Sequence, residues 1–163
     1  MKQILVMMAA VLLAGCGTTK VDPNDSTKIS YSIVEKAVRE SLKKPTGQLT
    51  EADLAKVTLL ILEGALINDA QLVDVAKLPN LKILTLQRSK ITGEGLKELS
   101  KMQNLQGNLE ILDLSYTKIT DEDLKHVSWF GFLRILRIHG TKMRGWGEAD
   151  LKKEISELIV VGP

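Results

Sequence analysis

Apolar residues recur at fixed spacing in four consecutive stretches, which begin at Val57, Leu81, Leu109 and Leu133. In each stretch they occupy relative positions 1, 4, 6 and 11. The early alternation is typical of a strand with one buried face, whereas the later apolar residues are spaced as on one face of a helix. We therefore predict a strand followed by a helix in each stretch, here called a repeat. Because no repeat can bury its apolar side chains alone, the repeats are expected to stack on one shared core.

The middle of the chain departs from this spacing at two places. The step from the second to the third repeat is longer than the others, and we expect the additional Gln106 and Gly107 to bulge in the loop that enters the third strand. Trp129 and Trp146 fall outside the apolar period near the fourth repeat. Either they pack against this irregular repeat or they contact a partner.

The pattern is stretched after Met143 and then ends in a partial copy. The sequence predicts a helix over residues 148–157, followed by a partial last strand over residues 158–162. The alignment of this strand is ambiguous, because either Leu158 or Val161 can serve as its first apolar anchor.

A separate helical pattern precedes the repeats. Apolar residues recur at helical spacing between Ile33 and Leu42, and Pro45 ends that pattern. Thr50 is placed to cap a second short helix. We predict that residues 31–56 form a helical cap over the first edge of the sheet, which would otherwise expose unpaired backbone groups.

Residues 1–16 read MKQILVMMAAVLLAGC and have the layout of a secretory signal. The apolar run is too short to cross a bilayer as a helix, which needs about 20 residues. Its end, Leu13-Ala14-Gly15-Cys16, resembles the lipobox of bacterial lipoproteins. The resemblance implies cleavage before Cys16 and acylation of that cysteine, which would anchor the chain in a membrane. The alternative is an ordinary signal peptide with a chance cysteine.

Residues 17–30 are polar, contain Gly and Pro, and predict a flexible linker between this anchor and the folded domain. The resemblance to lipoproteins also implies a location in the cell envelope. Gly17, rather than Asp, follows the cysteine, and in Gram-negative members of the family this implies the outer membrane.

The repeats resemble bacterial leucine-rich repeats that carry Ile-Thr-Asp after the strand and follow an internalin-like helical cap. The matching residues are Ile67-Asn-Asp69, Ile91-Thr-Gly93 and Ile119-Thr-Asp121. The resemblance implies an α/β solenoid with parallel strands on the concave face and helices on the convex face. The leucine-rich-repeat domain would span residues 31–163, with about four repeats over 57–157.

Strand residues that are not apolar anchors face the concave side in this architecture. The aliphatic column among them is either a binding surface or the result of strand propensity. An apolar stripe beside Arg and Tyr has the composition of a protein-binding patch. The predicted partner-binding residues are Leu59, Ile83, Ile111, Ile135, Thr85, Asp113, Arg137, Gln87, Ser115, His139, Arg88 and Tyr116.

Composition and motifs narrow the function classes. The net charge is +2 with no basic block, which does not favour nucleic-acid binding. One cysteine excludes an internal disulfide, and the two histidines cannot alone complete a zinc site. The chain lacks a Gly-x-Ser-x-Gly turn and a phosphate loop. We predict a non-enzymatic module for an unknown protein partner, without cofactor, metal or small-molecule substrate. The alternative is a structural envelope protein that self-associates through an uncapped edge at Leu158–Val161.

Overall fold

The computed structural model describes residues 32–64, 66–144 and 148–162. The predictions for the signal segment, the acylated Cys16, the linker and Trp146 therefore lie outside the described residues.

One parallel sheet runs through all the repeats. Its strands pair strictly in chain order, so that each repeat adds one strand beside the previous one. Helices from each repeat cover the other side, which confirms the predicted α/β solenoid. The strands are β1 (Leu59–Ile61), β2 (Ile83–Thr85), β3 (Ile111–Asp113), β4 (Ile135–Arg137) and β5 (Ile159–Val161).

The core follows the predicted apolar anchors. Leu60, Leu84, Leu112 and Leu136 are paired side by side along the sheet and are fully buried. The residues on either side of each anchor point the opposite way, because successive side chains alternate across a strand. The alternation therefore leaves one residue before and one after each anchor on the outer face, here called the sheet face.

The helices opposite the sheet differ from the prediction in type. The second repeat forms α3 (Gly93–Ser100), but the first and third form 3-10 helices, Asp69–Lys77 and Asp121–Trp129. A 3-10 helix rises about 2.0 Å per residue and an α-helix about 1.5 Å. The shorter repeats thus cover a similar path with fewer residues by using the more extended helix.

The predicted bulge at Gln106 and Gly107 is wrong. The additional residues of the second repeat form a further helix, α4 (Gln103–Asn108). Leu105 on this helix is fully buried, so the insertion contributes to the core. The longer repeat thereby has enough residues for two short α-helices in place of one 3-10 helix.

The helical cap consists of α1 (Ser32–Leu42) and α2 (Glu51–Leu54). The hydroxyl of Ser41 donates a hydrogen bond to the carbonyl of Leu59 at 2.9 Å, which satisfies a backbone group of β1. At α2, Thr50 is the N-cap, as predicted, and exchanges hydrogen bonds with Asp53. The cap therefore covers the first edge of the sheet.

The last helix and strand complete the described part of the chain. Helix α5 (Glu148–Glu154) is shorter than predicted, and β5 pairs with β4 so that Val160 lies beside Leu136. Leu158 is buried like a first anchor, yet it directly precedes the strand. One residue is therefore missing between this anchor and the strand, relative to the other repeats, which is why the spacing alone left the alignment open.

Candidate interaction surface

A continuous aliphatic row crosses the sheet face from the first strand to the last. The register places the five side chains on adjacent strands, which lie about 4.8 Å apart. The two ends of the row are exposed and the three middle residues are half-buried. This row, here called the aliphatic ladder, consists of Leu59, Ile83, Ile111, Ile135 and Ile159.

Three residues of the sheet face were not in the predicted set: Ile159, Ile61 and the half-buried Val161. Ile159 extends the ladder and is 58% exposed, but the ambiguous alignment of the last strand concealed it. Ile61 lies beside Thr85 in the next column and is also exposed. Its position after an apolar anchor was a signal that could have identified it.

The second column of the sheet face is apolar at its two ends, Ile61 and Val161, and polar or charged between them. Thr85 pairs in register with Asp113, and Asp113 pairs with Arg137. An oxygen of the Asp113 carboxylate accepts the N–H of Ser115 at 2.9 Å, and the other lies 3.9 Å from the Arg137 guanidinium. The contact with Arg137 is too long for a hydrogen bond, so this guanidinium keeps its donors for other groups.

Two residues of the predicted partner-binding set, Ser115 and Asp113, are buried. Ser115 is only 3% exposed and Asp113 only 8%, whereas His139 in the same column as Ser115 is exposed. The N–H of Ser115 bonds the Asp113 side chain and its carbonyl accepts the N–H of Arg88 at 2.9 Å. The bond to Asp113 closes a tight Asx turn, in which the short hydroxymethyl group of Ser115 is covered. Gln87 is half-buried.

The rim of the sheet face is formed by the eighth residue of each repeat, and the backbone conformation there is unusual. The eighth residue of every repeat has a positive φ: 104° at Gly64, 56° at Arg88, 58° at Tyr116 and 61° at Gly140. Only glycine adopts this left-handed region without steric cost. Two large side chains are therefore held on the rim by strained backbone.

Arg88 and Tyr116 form a stacked pair on this rim. The Arg88 guanidinium lies 5.5 Å from the centre of the Tyr116 ring, within the range of a cation–π contact. On the other side of the ring, a side chain at Gly140 would collide with it. Glu63 is 3.9 Å from Arg88 and adds a weak ion pair. The aromatic ring is thus fixed in place while half of it remains exposed.

On the opposite flank of the aliphatic ladder, the charges of a lysine and a glutamate neutralise each other. Lys82 donates a 2.8 Å hydrogen bond to Glu110, which lowers the pKa of that carboxyl below its usual value. The positive charges of Lys82 and Arg134 act in the same direction. This flank therefore offers no uncompensated negative charge to a partner.

Other kinds of site are not found among the described residues. No group of three metal-ligating side chains occurs in that part of the chain. None of its helices has the length and apolarity required to span a bilayer. Trp129, at the end of the third repeat's 3-10 helix, and Phe132, in the loop before β4, are each 62% exposed, so most of the Trp129 side chain is not packed against the fourth repeat.

The sequence of the second and third repeats matches a known family. A sequence profile of the family described as Leucine Rich repeat matches residues 77–100 and 108–127. Together with the parallel sheet and its covering helices, this match defines the domain as a leucine-rich-repeat solenoid.

Among solved structures, an internalin (inlF) from Listeria monocytogenes str. 4b F2365 is similar to this chain, with 20% sequence identity and a TM-score of 0.45. The similarity covers 80% of this chain and 50% of the internalin chain, so the present chain spans about half the length of that protein. No curated protein sequence matches the chain.

Proposed function

We propose that this protein is a membrane-anchored lipoprotein that binds a protein partner, without catalysis, through the sheet face of its leucine-rich repeats. The aliphatic ladder is the observation that carries the proposal. A row of five apolar side chains on one open face is a larger apolar surface than isolated exposed residues produce. The residues beside the aliphatic ladder supply the polar groups that orient a partner.

The stacked pair of Arg88 and Tyr116 supports the proposal that a partner binds on this side of the domain. Arg and Tyr are enriched among residues that dominate binding energy, because they combine large contact area with hydrogen-bond donors. Here the ring is held between a guanidinium and Gly140, so little side-chain entropy is lost on binding. Strained backbone at an exposed position is also more common at functional sites than elsewhere.

The binding surface is tested by crosslinking in intact cells. A photoreactive amino acid at Ile135, on the ladder, should crosslink to a specific partner, whereas the same group at the exposed Val73 on the first 3-10 helix should not. Tyr116→Ala should weaken the crosslink at Ile135. Equal labelling from both positions, or from neither, would show that the sheet face is not the binding surface.

The proposed anchor is tested separately. Cys16→Ser should release the chain from membrane fractions or block its processing, because it removes the site of the acyl chains. In a Gram-negative cell the anchored form should fractionate with the outer membrane. Unchanged membrane retention of the serine variant would contradict acylation without affecting the binding proposal.

A second candidate is a structural envelope protein that self-associates through β5. The Ile159 N–H and the Val161 carbonyl bond to β4, so alternation directs the N–H and carbonyl of Val160 to the open side. Among the described residues no element covers this side, in contrast to the capped edge at β1.

Sedimentation of the chain from Gly17 onward over a concentration series distinguishes this candidate. Self-association that Val160→Pro abolishes would support it, because proline removes the outward N–H and leaves the bonds to β4 intact. A wild-type chain that stays monomeric at high concentration would exclude it.

A further inference from the structure

Lysines occupy the tenth position of three consecutive repeats, at the edge where strands end and helices begin. Lys90, Lys118 and Lys142 are all exposed. The backbone N–H of Lys90 donates to the carbonyl of Ile67 at 2.7 Å, so neighbouring repeats fix its place in the row. The tenth residue of the first repeat is Leu66, which is 77% exposed and extends the row.

These lysines differ from most others in the domain because they have no ion-pair partner among the described residues. Eight other lysines pair with carboxylates at 2.6–3.9 Å. Lys43 and Lys125 are exposed and also have no ion-pair partner among the described residues, but they lie outside the row. Most lysines of the described domain are thus neutralised by a carboxylate, and the row groups three that are not. The paired lysines are Lys36, Lys44, Lys56, Lys77, Lys82, Lys97, Lys101 and Lys153.

Three of the carboxylates nearest to this edge in sequence are engaged in other contacts, and the fourth lies in a groove on the helix side. Asp69 and Asp121 are half-buried and accept backbone N–H groups of the following repeat at 2.9 Å. Glu63 lies beside Arg88, and Glu122 lines a groove on the helix side together with Asp150. The exposed charges of the row itself are therefore cationic.

We infer that this row, Leu66 with the three lysines, docks on the anionic headgroup surface of a lipid bilayer. Protein interfaces are depleted in lysine, which argues against a protein as the occupant. The ammonium group is a compact point charge on a flexible stem, and it suits a fluid layer of phosphate groups better than a fixed site. Lysines near an anionic surface each favour binding about fivefold, or roughly a hundredfold for three. Leu66 adds an apolar side chain at the interface.

The inference goes beyond the proposed function and does not depend on acylation of Cys16. It assigns an orientation in which the strand ends face the bilayer and the sheet face is directed sideways, open to a partner. A tether alone would not fix this orientation, because a flexible linker allows rotation.

The test uses the chain from Gly17 onward, which lacks the apolar signal segment. Every buried apolar side chain of the described core lies between Val34 and Leu158, so this chain retains the whole core. Binding is measured by cosedimentation with phosphatidylcholine vesicles that contain or lack phosphatidylglycerol. Wild type should bind only the anionic vesicles, and added salt should weaken the binding.

A triple variant, Lys90→Gln/Lys118→Gln/Lys142→Gln, should lose roughly a hundredfold in partitioning to anionic vesicles. The control makes the same change in charge at three exposed, paired lysines elsewhere: Lys36→Gln, Lys56→Gln and Lys101→Gln.

The proposal holds if the row variant loses binding and the control retains most of it. Equal losses in both variants would show that only net charge matters and would overturn it. The proposal would also be overturned if the wild type did not bind anionic vesicles, or if it bound polyglutamate through the row but did not bind the vesicles. Circular dichroism confirms that each variant is folded.

Discussion

Arg88 and Tyr116 adopt a backbone conformation that glycine adopts at the same position of two other repeats. The left-handed conformation costs about 1–2 kcal/mol for a residue with a side chain. Glycine would avoid this cost but would also remove the stacked pair from the rim. The backbone conformation at these two residues therefore lowers the stability of the fold. It also places an exposed guanidinium and a half-exposed aromatic ring on the rim.

Replacing Arg88 separates backbone strain from side-chain contacts. Arg88→Ala removes the guanidinium and keeps the strain, whereas Arg88→Gly removes both. We expect the glycine variant to have a free energy of unfolding about 1 kcal/mol higher than the alanine variant. Urea denaturation measures the difference. If alanine is as stable as glycine, the positive φ at this residue carries no cost.

At the scale of elements, neighbouring repeats are joined by side chains at the starts of their helices. The Asp69 carboxylate of the first repeat accepts the N–H of Thr92 at 2.9 Å and its hydroxyl at 2.7 Å. Gly95 leaves the space that this carboxylate occupies. One repeat further, Gly93 leaves the same space for Asp123, which instead bonds Thr120 of its own repeat at 2.8 and 2.9 Å.

A double-mutant cycle tests this contact between repeats. Gly95→Ala should destabilise the wild type, because its methyl group would collide with Asp69. In an Asp69→Ala background the same change should stabilise α3 by up to about 1 kcal/mol, since alanine is the better helix former. Thermal unfolding gives the sign of each effect. The same sign in both backgrounds would mean that the two residues are not coupled.

The cap helix α2 provides a pH-dependent contribution to stability. Hydrogen bonds from Lys44 and from the backbone and hydroxyl of Thr50 hold the pKa of Asp53 far below its usual value. A lowered pKa stabilises the folded state above the carboxyl's unfolded pKa, and the contribution disappears as the pH falls through the folded pKa.

We therefore expect Asp53→Asn to lower the melting temperature near neutral pH and to have a progressively smaller effect in strong acid. Scanning calorimetry of both proteins over this range measures the difference. A deficit that stays constant down to strong acid would exclude ionisation of Asp53 as its cause.

At the scale of the whole molecule, the solenoid has two unlike ends. Each repeat contacts only its neighbours, so stability is the sum of repeat and interface contributions. The strand β1 is covered by α1, whereas β5 pairs on one side alone among the described elements. The middle strands have partners on both sides.

Native-state hydrogen exchange should therefore show a gradient along the sheet. The amides of β3 are expected to exchange most slowly and those of β5 fastest, because opening β5 breaks a single interface. Exchange at β5 as slow as at β3 would indicate that the last strand is covered, for example by a second copy.

The sequence predicted the anchors because burial imposes their spacing, and Leu60, Leu84 and Leu112 follow directly from the period. It did not predict the type of helix, because the length available to each repeat decides between the 3-10 and α forms. The burial of Ser115 depends on a turn formed with Asp113, which the period does not contain. Ile159 was missed since one deleted residue shifts its strand against the pattern.

The complementary Asp and Gly residues at the helix starts make the repeats depend on their order. The carboxylate of Asp69, at the helix start of the first repeat, fits only because the second repeat has a glycine, Gly95, two positions further along its own repeat. If recombination moved the third repeat behind the first, the carboxylates of Asp69 and Asp123 would compete for one space. Duplicating the second and third repeats together would preserve every such contact. The third repeat can therefore be added only behind a repeat that has glycine at the position of Gly93, as the second repeat has.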